Sequence, residues 1–365
     1  MTCSAGFRGI TWDHPRGRDA LVAAAGELIG WDVQPLEGFE SHPIADLCAR
    51  YDLVVLDHPH LGEALASGAL TPLDDLFPAE ELQAWAAASI GPTMRSYAMA
   101  GRQWALPLDA ATQVAATRTD LAGDAPDTWD EVVRLAGRGP VALSLAGPHA
   151  YLTFASVAVA LGTPPDDTTG LVPTATGLAA LDVMAEIDAH APPQTRALNP
   201  IGLLELMAGT DELWHVPLVY GYVTYAGRVA FTDAPSAGGR RGSTLGGTGL
   251  AVSARCRPTR ELRDHIRWLM SAEAQCGFLP AHSGQPSARA AWADTALDTG
   301  HFYSHTAATC ENAWVRPRYA GYIGFQTAAS ALVRDVLGGV LDPTRGLERM
   351  RALSAASRIE QEENA

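Results

Sequence analysis

In the first sixty positions, apolar runs suited to strands alternate with runs suited to helices. Residues 7–10 form the first short strand candidate, followed by the loop Thr11-Trp12-Asp13-His14-Pro15-Arg16-Gly17. Asp19 is expected to cap an apolar helix through residues 20–25 and Leu28-Ile29. A second strand falls near residues 31–36, and residues 44–50 read as a helix. Tyr51-Asp52-Leu53-Val54-Val55-Leu56 is a continuous apolar run, typical of a strand buried on both faces, and it ends in Asp57-His58-Pro59-His60. Strand, loop and helix repeated in this order predict an α/β fold built on doubly wound, mostly parallel sheets.

The same pattern continues downstream. Residues 80–88 predict a helix, and residues 94–98 lead into Gly101-Arg102-Gln103-Trp104-Ala105-Leu106-Pro107-Leu108-Asp109-Ala110-Ala111-Thr112-Gln113. There a glycine-started turn gives way to a short apolar strand that Pro107 must end, because proline lacks the N–H a central ladder needs. Residues 114–118 read as the first strand of a second lobe. In Pro126-Asp127-Thr128-Trp129-Asp130-Glu131, Thr128 stands as N-cap with Glu131 at the third helical position, a capping box. Residues 141–145 are expected as a strand and residues 151–161 and 177–190 as helices. Tyr220, Tyr222 and Thr224 alternate so as to share a strand face. Residues 236–243, polar and glycine-rich, predict a loop or return crossover, and residues 244–252 a strand. Helices are expected over 260–271, 332–340 and 347–353.

Composition narrows the function classes. At 365 residues the chain is long enough for two ordinary domains. Its 41 acidic against 26 basic residues give a net charge of −15, which disfavours nucleic acid or an anionic membrane surface as partner. No apolar run is long enough to span a bilayer. Every basic residue other than histidine is arginine, which excludes Schiff-base chemistry and a P-loop lysine. Cysteines stand at 3, 48, 256, 276 and 310 with no C-x-x-C pair, so neither a zinc motif nor a disulfide framework is indicated. The first ten residues hold no basic, apolar and small-residue series of the kind an export signal needs, and no apolar stretch precedes Cys3. The expectation is a cytoplasmic protein without cofactor or metal.

The run from Gly101 to Gln113 resembles the hinge of ABC-transporter solute-binding proteins of the carbohydrate-binding type, roughly G-K-x-Y-x-L-P-x-D. Gly68-Ala69-Leu70-Thr71-Pro72-Leu73-Asp74-Asp75-Leu76 is similar to that family's x-L-x-P-L-D-D-L, and Pro126 to Glu131 to its P-x-T-W-D-E. Thr244-Leu245-Gly246-Gly247-Thr248-Gly249-Leu250-Ala251-Val252 resembles its return strand, Trp268-Leu269-Met270 its late helix and His282-Ser283-Gly284-Gln285-Pro286 its G-x-x-P loop. Six or seven short motifs in the right order cover nearly the whole chain. The resemblance implies a two-lobed, type II periplasmic-binding-protein fold with a cleft between lobes. Residues 1–110 plus about 245–300 would form lobe 1, and about 111–244 plus part of 301–365 lobe 2, with hinges near 107–113 and 242–248. It implies binding of a carbohydrate-like or other polar organic solute by hinged closure. An ABC permease would be the partner if an export signal exists upstream.

In such a fold, ligand groups come from loops at the carboxyl ends of strands. The candidates are Trp12, Asp13 and His14; Asp57 and His58; Asp109 and Gln113; Tyr151; Tyr220, Tyr222 and Tyr225; Gly247; Gln285; Arg316 and Tyr319. The tripeptide Asp-His-Pro occurs twice, at 13–15 and 57–59. Three readings stand: helix caps and structural histidines, ligand hydrogen bonding, or a metal or acid–base centre. The last would make the chain a cytoplasmic enzyme on a solute-binding scaffold, with Asp13, His14, Asp57, His58 and Asp109 as its acids and bases. Trp12 either seals a core edge or stacks on a ligand, and the tyrosines either fill a strand face or contact solute.

Overall fold

The computed structural model describes residues 6–165 and 171–363; Cys3 lies outside them. The strands that position the site are β1 (Phe7–Trp12), β2 (Ile29–Gln34), β3 (Leu53–Leu56), β4 (Ala105–Pro107), β5 (Ala111–Thr117), β6 (His215–Tyr220), β7 (Ala230–Thr232) and β8 (Gly249–Val252). The helices used below are α1 (Pro15–Ala25), α2 (Ile44–Arg50), α3 (Trp129–Ala136), α4 (His149–Ala160), α5 (Phe302–Glu311) and α6 (Tyr322–Leu337). The chain divides into two compact units. The first comprises Met1–Ala111, Gly246–Leu297 and Arg316–Ala320, and the second Thr112–Leu245, Asp298–Val315 and Gly321–Ala365.

The first unit carries a five-stranded sheet in the order β2-β1-β3-β8-β4. β2, β1 and β3 run parallel, while β8 is antiparallel to both β3 and β4. All four residues of β3 are buried, which is why its sequence is apolar without alternation. Ile10, Ile44, Leu47, Val54, Leu56 and Ala251 share one core cluster beneath this sheet. Helix α2 covers the residues expected of it.

In the second unit, β5 pairs antiparallel with both β6 and β7. The mostly parallel pairing expected of both lobes therefore describes β2, β1 and β3 but not these strands. An unbroken apolar run reports burial on both faces and says nothing of strand direction. Against the sheet, α4 packs on α6: the Tyr151 ring meets Phe325 edge-on at 5.2 Å, and the Tyr151 N–H donates to Ser330 Oγ at 3.1 Å.

Several local expectations need correction. α1 begins at Pro15 with His14 as its N-cap, not at Asp19, because proline's fixed φ suits the first helical position. β1 continues to Trp12, so that ring ends a strand and does not lie in a loop. Residues 141–145 form no strand; Val141 alone bridges His215, and the Ser144 carbonyl accepts from Thr153 Oγ1 at 3.0 Å in place of a ladder partner. β6 stops at Tyr220 and Val223–Tyr225 is a 3₁₀ turn, so Tyr220, Tyr222 and Thr224 do not share a strand face. Residues 236–243 fold as a tight hairpin pairing Ser236 with Arg241, with Gly238 and Gly239 at φ 54° and 79°.

The capping box of α3 is formed in full. Glu131 N–H donates to Thr128 Oγ1 at 3.3 Å, and Glu131 Oε2 accepts from the N–H groups of Thr128 (3.1 Å) and Asp127 (2.9 Å). Thr128→Ala is expected to cost about 1 kcal/mol. Urea unfolding should show a lowered midpoint with an unchanged m-value.

Candidate functional site

β1 and β3 are neighbouring parallel strands with Gly9 opposite Leu53 and Ile10 opposite Val54. The two Asp-His-Pro turns leave their carboxyl ends at the same level. Each turn starts a helix, but by different means. His14 is extended (φ −151°), and its Nδ1 accepts from the Arg16 N–H at 3.1 Å. Asp57 instead caps a short 3₁₀ turn, its Oδ1 accepting from the His58 N–H at 2.8 Å. The carboxylates are neutralised separately, Asp13 by Arg18 and Asp57 by Arg316. Among the described residues, no group of three or more His, Cys, Asp or Glu is placed to hold a metal ion.

Trp12 is 2% exposed. Its ring stacks on His14 at 5.2 Å and 8°, with the Arg16 guanidinium 5.5 Å from its centroid. A Cβ at Gly17 would fall 2.0 Å from the indole nitrogen, so glycine is required where α1 crosses the ring. Within the first unit this tryptophan seals a core edge.

Asp109 follows β4 and is buried. Its Oδ2 accepts from Arg16 Nε at 2.8 Å, the two side chains being only 6% and 4% exposed, and its Oδ1 accepts from the Thr248 N–H at 2.5 Å. Gln285 Nε2 donates to the Ala110 carbonyl at 2.6 Å, and Ser287 Oγ to that of Pro107 at 2.6 Å. Gly247 adopts φ +92°, and a Cβ there would lie 2.7 Å from the Asp109 carbonyl oxygen. A cavity of about 20 Å³, the size of one water molecule, lies among Arg16, Leu108, Asp109, Thr248 and Gln285.

Around Asp57, burial alone would push the carboxyl up. The charge of Arg316, together with hydrogen bonds from His58 and Arg316, outweighs it and holds the group well below the usual carboxylate range. His58 is fully buried; burial first, and the Arg316 charge second, lower it to about 4, so it is neutral at pH 7. Its Nδ1 lies 3.1 Å from Asp57 Oδ1, and its ring meets Tyr97 edge-on at 6.2 Å. Arg318, two residues beyond Arg316, donates to the carbonyls of Arg95 (2.9 Å), Ser96 (2.9 Å) and Ala98 (2.8 Å). A Cβ at Gly62 would fall 2.1 Å from the Arg318 carbonyl oxygen, so the strap Arg316–Ala320 lies directly on that glycine. Tyr319 is half-buried in the same strap.

In the second unit the centre is Gln113, fully buried on β5. Its Oε1 accepts from Ser156 Oγ and Thr244 Oγ1, each at 2.6 Å, and its carbonyl accepts from Ser243 Oγ at 2.6 Å. Gln113 stands opposite Tyr220 across the β5–β6 pair, and His149 meets the Tyr220 ring at 5.8 Å. Tyr222 and Tyr225 are both buried, 6.3 Å apart, and Tyr225 Oη donates to Glu205 Oε1 at 2.5 Å. His215, also fully buried, is lowered by burial to about 3 while its Nδ1 sits 2.9 Å from Thr117 Oγ1.

The first unit thus joins Trp12 with His14, Asp57 with His58 and Arg316, and Asp109 with Gly247 and Gln285. The second joins Gln113 with Tyr220, and Tyr222 with Tyr225, while Tyr151 turns to α6. Asp13, Asp57 and Asp109, offered as acids or bases, each spend a carboxylate oxygen on an arginine. Arg16, Ser156, Thr244 and Arg318 were not foreseen. Arg16 carried one signal, its place directly after the Asp-His-Pro turn; the others act on residues far away in sequence.

A sequence profile described as bacterial extracellular solute-binding protein matches residues 49–275. Similar solved structures include an ABC-transporter solute-binding protein from Agrobacterium radiobacter K84 in complex with ribitol, 22% identical over 95% of this chain and 97% of that one, with TM-score 0.79. Maltose-bound T. maritima MalE3 is 18% identical over 96% and 98%, also with TM-score 0.79. A solute-binding protein from Thermotoga lettingae TMO bound with α-D-tagatose is 16% identical over 96% and 98%, with TM-score 0.80. No curated protein matches the chain.

Two outcomes follow from the buried charges. His14 and His58, lowered to about 4, and His215, lowered to about 3, are neutral in the fold and take up protons only on unfolding between those values and about 6.5. Their contribution is complete above about pH 6.5 and is lost as pH falls. Urea midpoints should therefore drop between pH 7 and pH 5, and His215→Gln should shrink that drop; a flat profile would contradict the assignment. Arg16→Met, which strands the Asp109 carboxylate, should cost about 3–5 kcal/mol, and adding Asp109→Leu should restore much of it.

Proposed function

This chain belongs to the bacterial extracellular solute-binding protein family, and we propose that its solute is a small uncharged polyhydroxy compound, a polyol or sugar. The observation that carries this reading is the internal pairing of the candidate charges. Arg16 is spent on Asp109 and Arg316 on Asp57. An organic acid needs a guanidinium to offset its carboxylate, and these two are engaged. Among the remaining candidates, Gln113 has a buried Nε2 that meets no hydrogen-bond partner among the described residues, and Tyr220 stands opposite it on the neighbouring strand. Such groups bind neutral hydroxyls by hydrogen bonds and ring faces. The ligands named for the similar structures, ribitol, maltose and α-D-tagatose, are of this class.

Uptake is proposed to bend the chain near 107–113 and 242–248. The passages between the compact units at 111/112 and 245/246 support this reading. Delivery to an ABC permease is the role that family membership favours.

Calorimetric titration with ribitol, maltose and α-D-tagatose tests the solute class, with ribonate as the charged counterpart of ribitol. At least one neutral compound should bind, with a fall in radius of gyration by small-angle scattering. At a hundredfold excess over Kd it should stabilise the fold by about 2.7 kcal/mol. Tighter binding of ribonate than of ribitol would overturn the neutral-solute reading.

A further inference from the structure

Gln113 is a buried amide of which only one end is used. Its Oε1 accepts two hydroxyl hydrogen bonds, from Ser156 and Thr244, at 2.6 Å each. Its Nε2 is buried and meets no hydrogen-bond partner among the described residues. The orientation of the amide follows from the network. Ser156 Oγ accepts from the Thr244 N–H at 2.8 Å, so its own proton goes to Gln113 Oε1. In the flipped amide that proton would have only Thr244 Oγ1, at 3.3 Å. Two N–H donors are thus fixed and directed away from the hydroxyls that hold the carbonyl end.

A buried donor pair left unmade is costly, and native folds keep such groups where a partner arrives. The surroundings suit a solute oxygen. Tyr220, directly across the strand pair, lies on the same sheet face and is half-exposed. His149 and Ser156, seven residues apart on α4, are on one helix face, the first against the Tyr220 ring and the second on the Gln113 carbonyl end. An aromatic edge and a fixed amide donor pair are therefore adjacent in the second unit.

We infer that Gln113 is a specificity-determining residue: its two Nε2 protons donate to oxygens of the solute, with Tyr220 beside them as an apolar wall. The inference rests on the polyhydroxy reading and adds the group that reads the hydroxyls. The Ser156–Thr244 network acts as the positioning device, fixing which end of the amide faces the solute. A carboxylate in the same place would keep the accepting oxygen and lose the donors.

Gln113→Glu tests this, because it keeps the shape and the Oε1 acceptor. Titration with ribitol, maltose and α-D-tagatose should show whichever binds the wild type weakened about tenfold or more. Ser156→Ala, which removes one of the two hydroxyls that orient the amide and leaves the Nε2 donors in place, should weaken binding of the same compound less than Gln113→Glu does and lower the urea midpoint. Wild-type binding that Gln113→Glu leaves within about twofold overturns the role of Gln113 and leaves the solute class standing. If the wild type binds none of the three, the solute class falls, and a high-resolution crystal structure of the wild type decides on Gln113 by itself. A non-protein oxygen within about 3.2 Å of Nε2 supports the donor role, and a protein carbonyl there overturns it.

Discussion

A carboxylate buried at the point where the chain leaves its first unit must be neutralised there, and much of the local architecture follows from that demand. Asp109 lies just beyond β4 with both oxygens engaged, one by Arg16 and one by the Thr248 N–H. Arg16 reaches it from the first turn of α1, which starts at Pro15. Thr248 reaches it from the returning segment, and Gly247 is needed because a side chain there would strike the Asp109 backbone. One acid thereby ties the outgoing strand, the returning strand and the first helix into a single block. Replacing such a pair with apolar residues is often tolerated, whereas halving it is not, so its value lies as much in fixing geometry as in net stability.

The second unit solves the corresponding problem without charge. Thr112, Gln113, Ser243 and Thr244 lie on the two passing segments, and Ser156 on α4 joins them through hydroxyl and amide hydrogen bonds. Gly242 allows the close approach, since a Cβ there would fall 2.0 Å from the Ser156 carbonyl oxygen. A neutral network is what the proposed neutral solute would call for, because it adds no field that would favour an ion.

What was legible in the sequence was local. The capping box at Thr128 and Glu131 depends on residues three apart, and α2 on its own apolar spacing; both appear as read. The order of short motifs was enough to reach the right family and fold. Strand direction in the second unit was hidden, because the buried run of β5 is the same string of letters in either sense. Tyr220 and Tyr222 looked like one strand face, yet the ladder ends between them. The partners of Asp109 and Asp57 could not be read at all: Arg16 is 93 residues away from the first and Arg316 259 from the second. Burial without a neighbour in sequence leaves no periodic trace.

The distance between Asp57 and Arg316 has a consequence for how the molecule is made. On the ribosome, β3 emerges early, but the strand that flanks it, β8, and the strap that neutralises its acid emerge hundreds of residues later. At about 5–20 residues per second, the gap amounts to on the order of ten to fifty seconds during which the nascent sheet has an open edge and an unmatched carboxylate. The second unit has most of its strands and α4 in hand well before that. In this protein the part that begins the chain stays incomplete until Arg316–Ala320 has been made, only one segment before the second unit is itself closed by Gly321–Ala365.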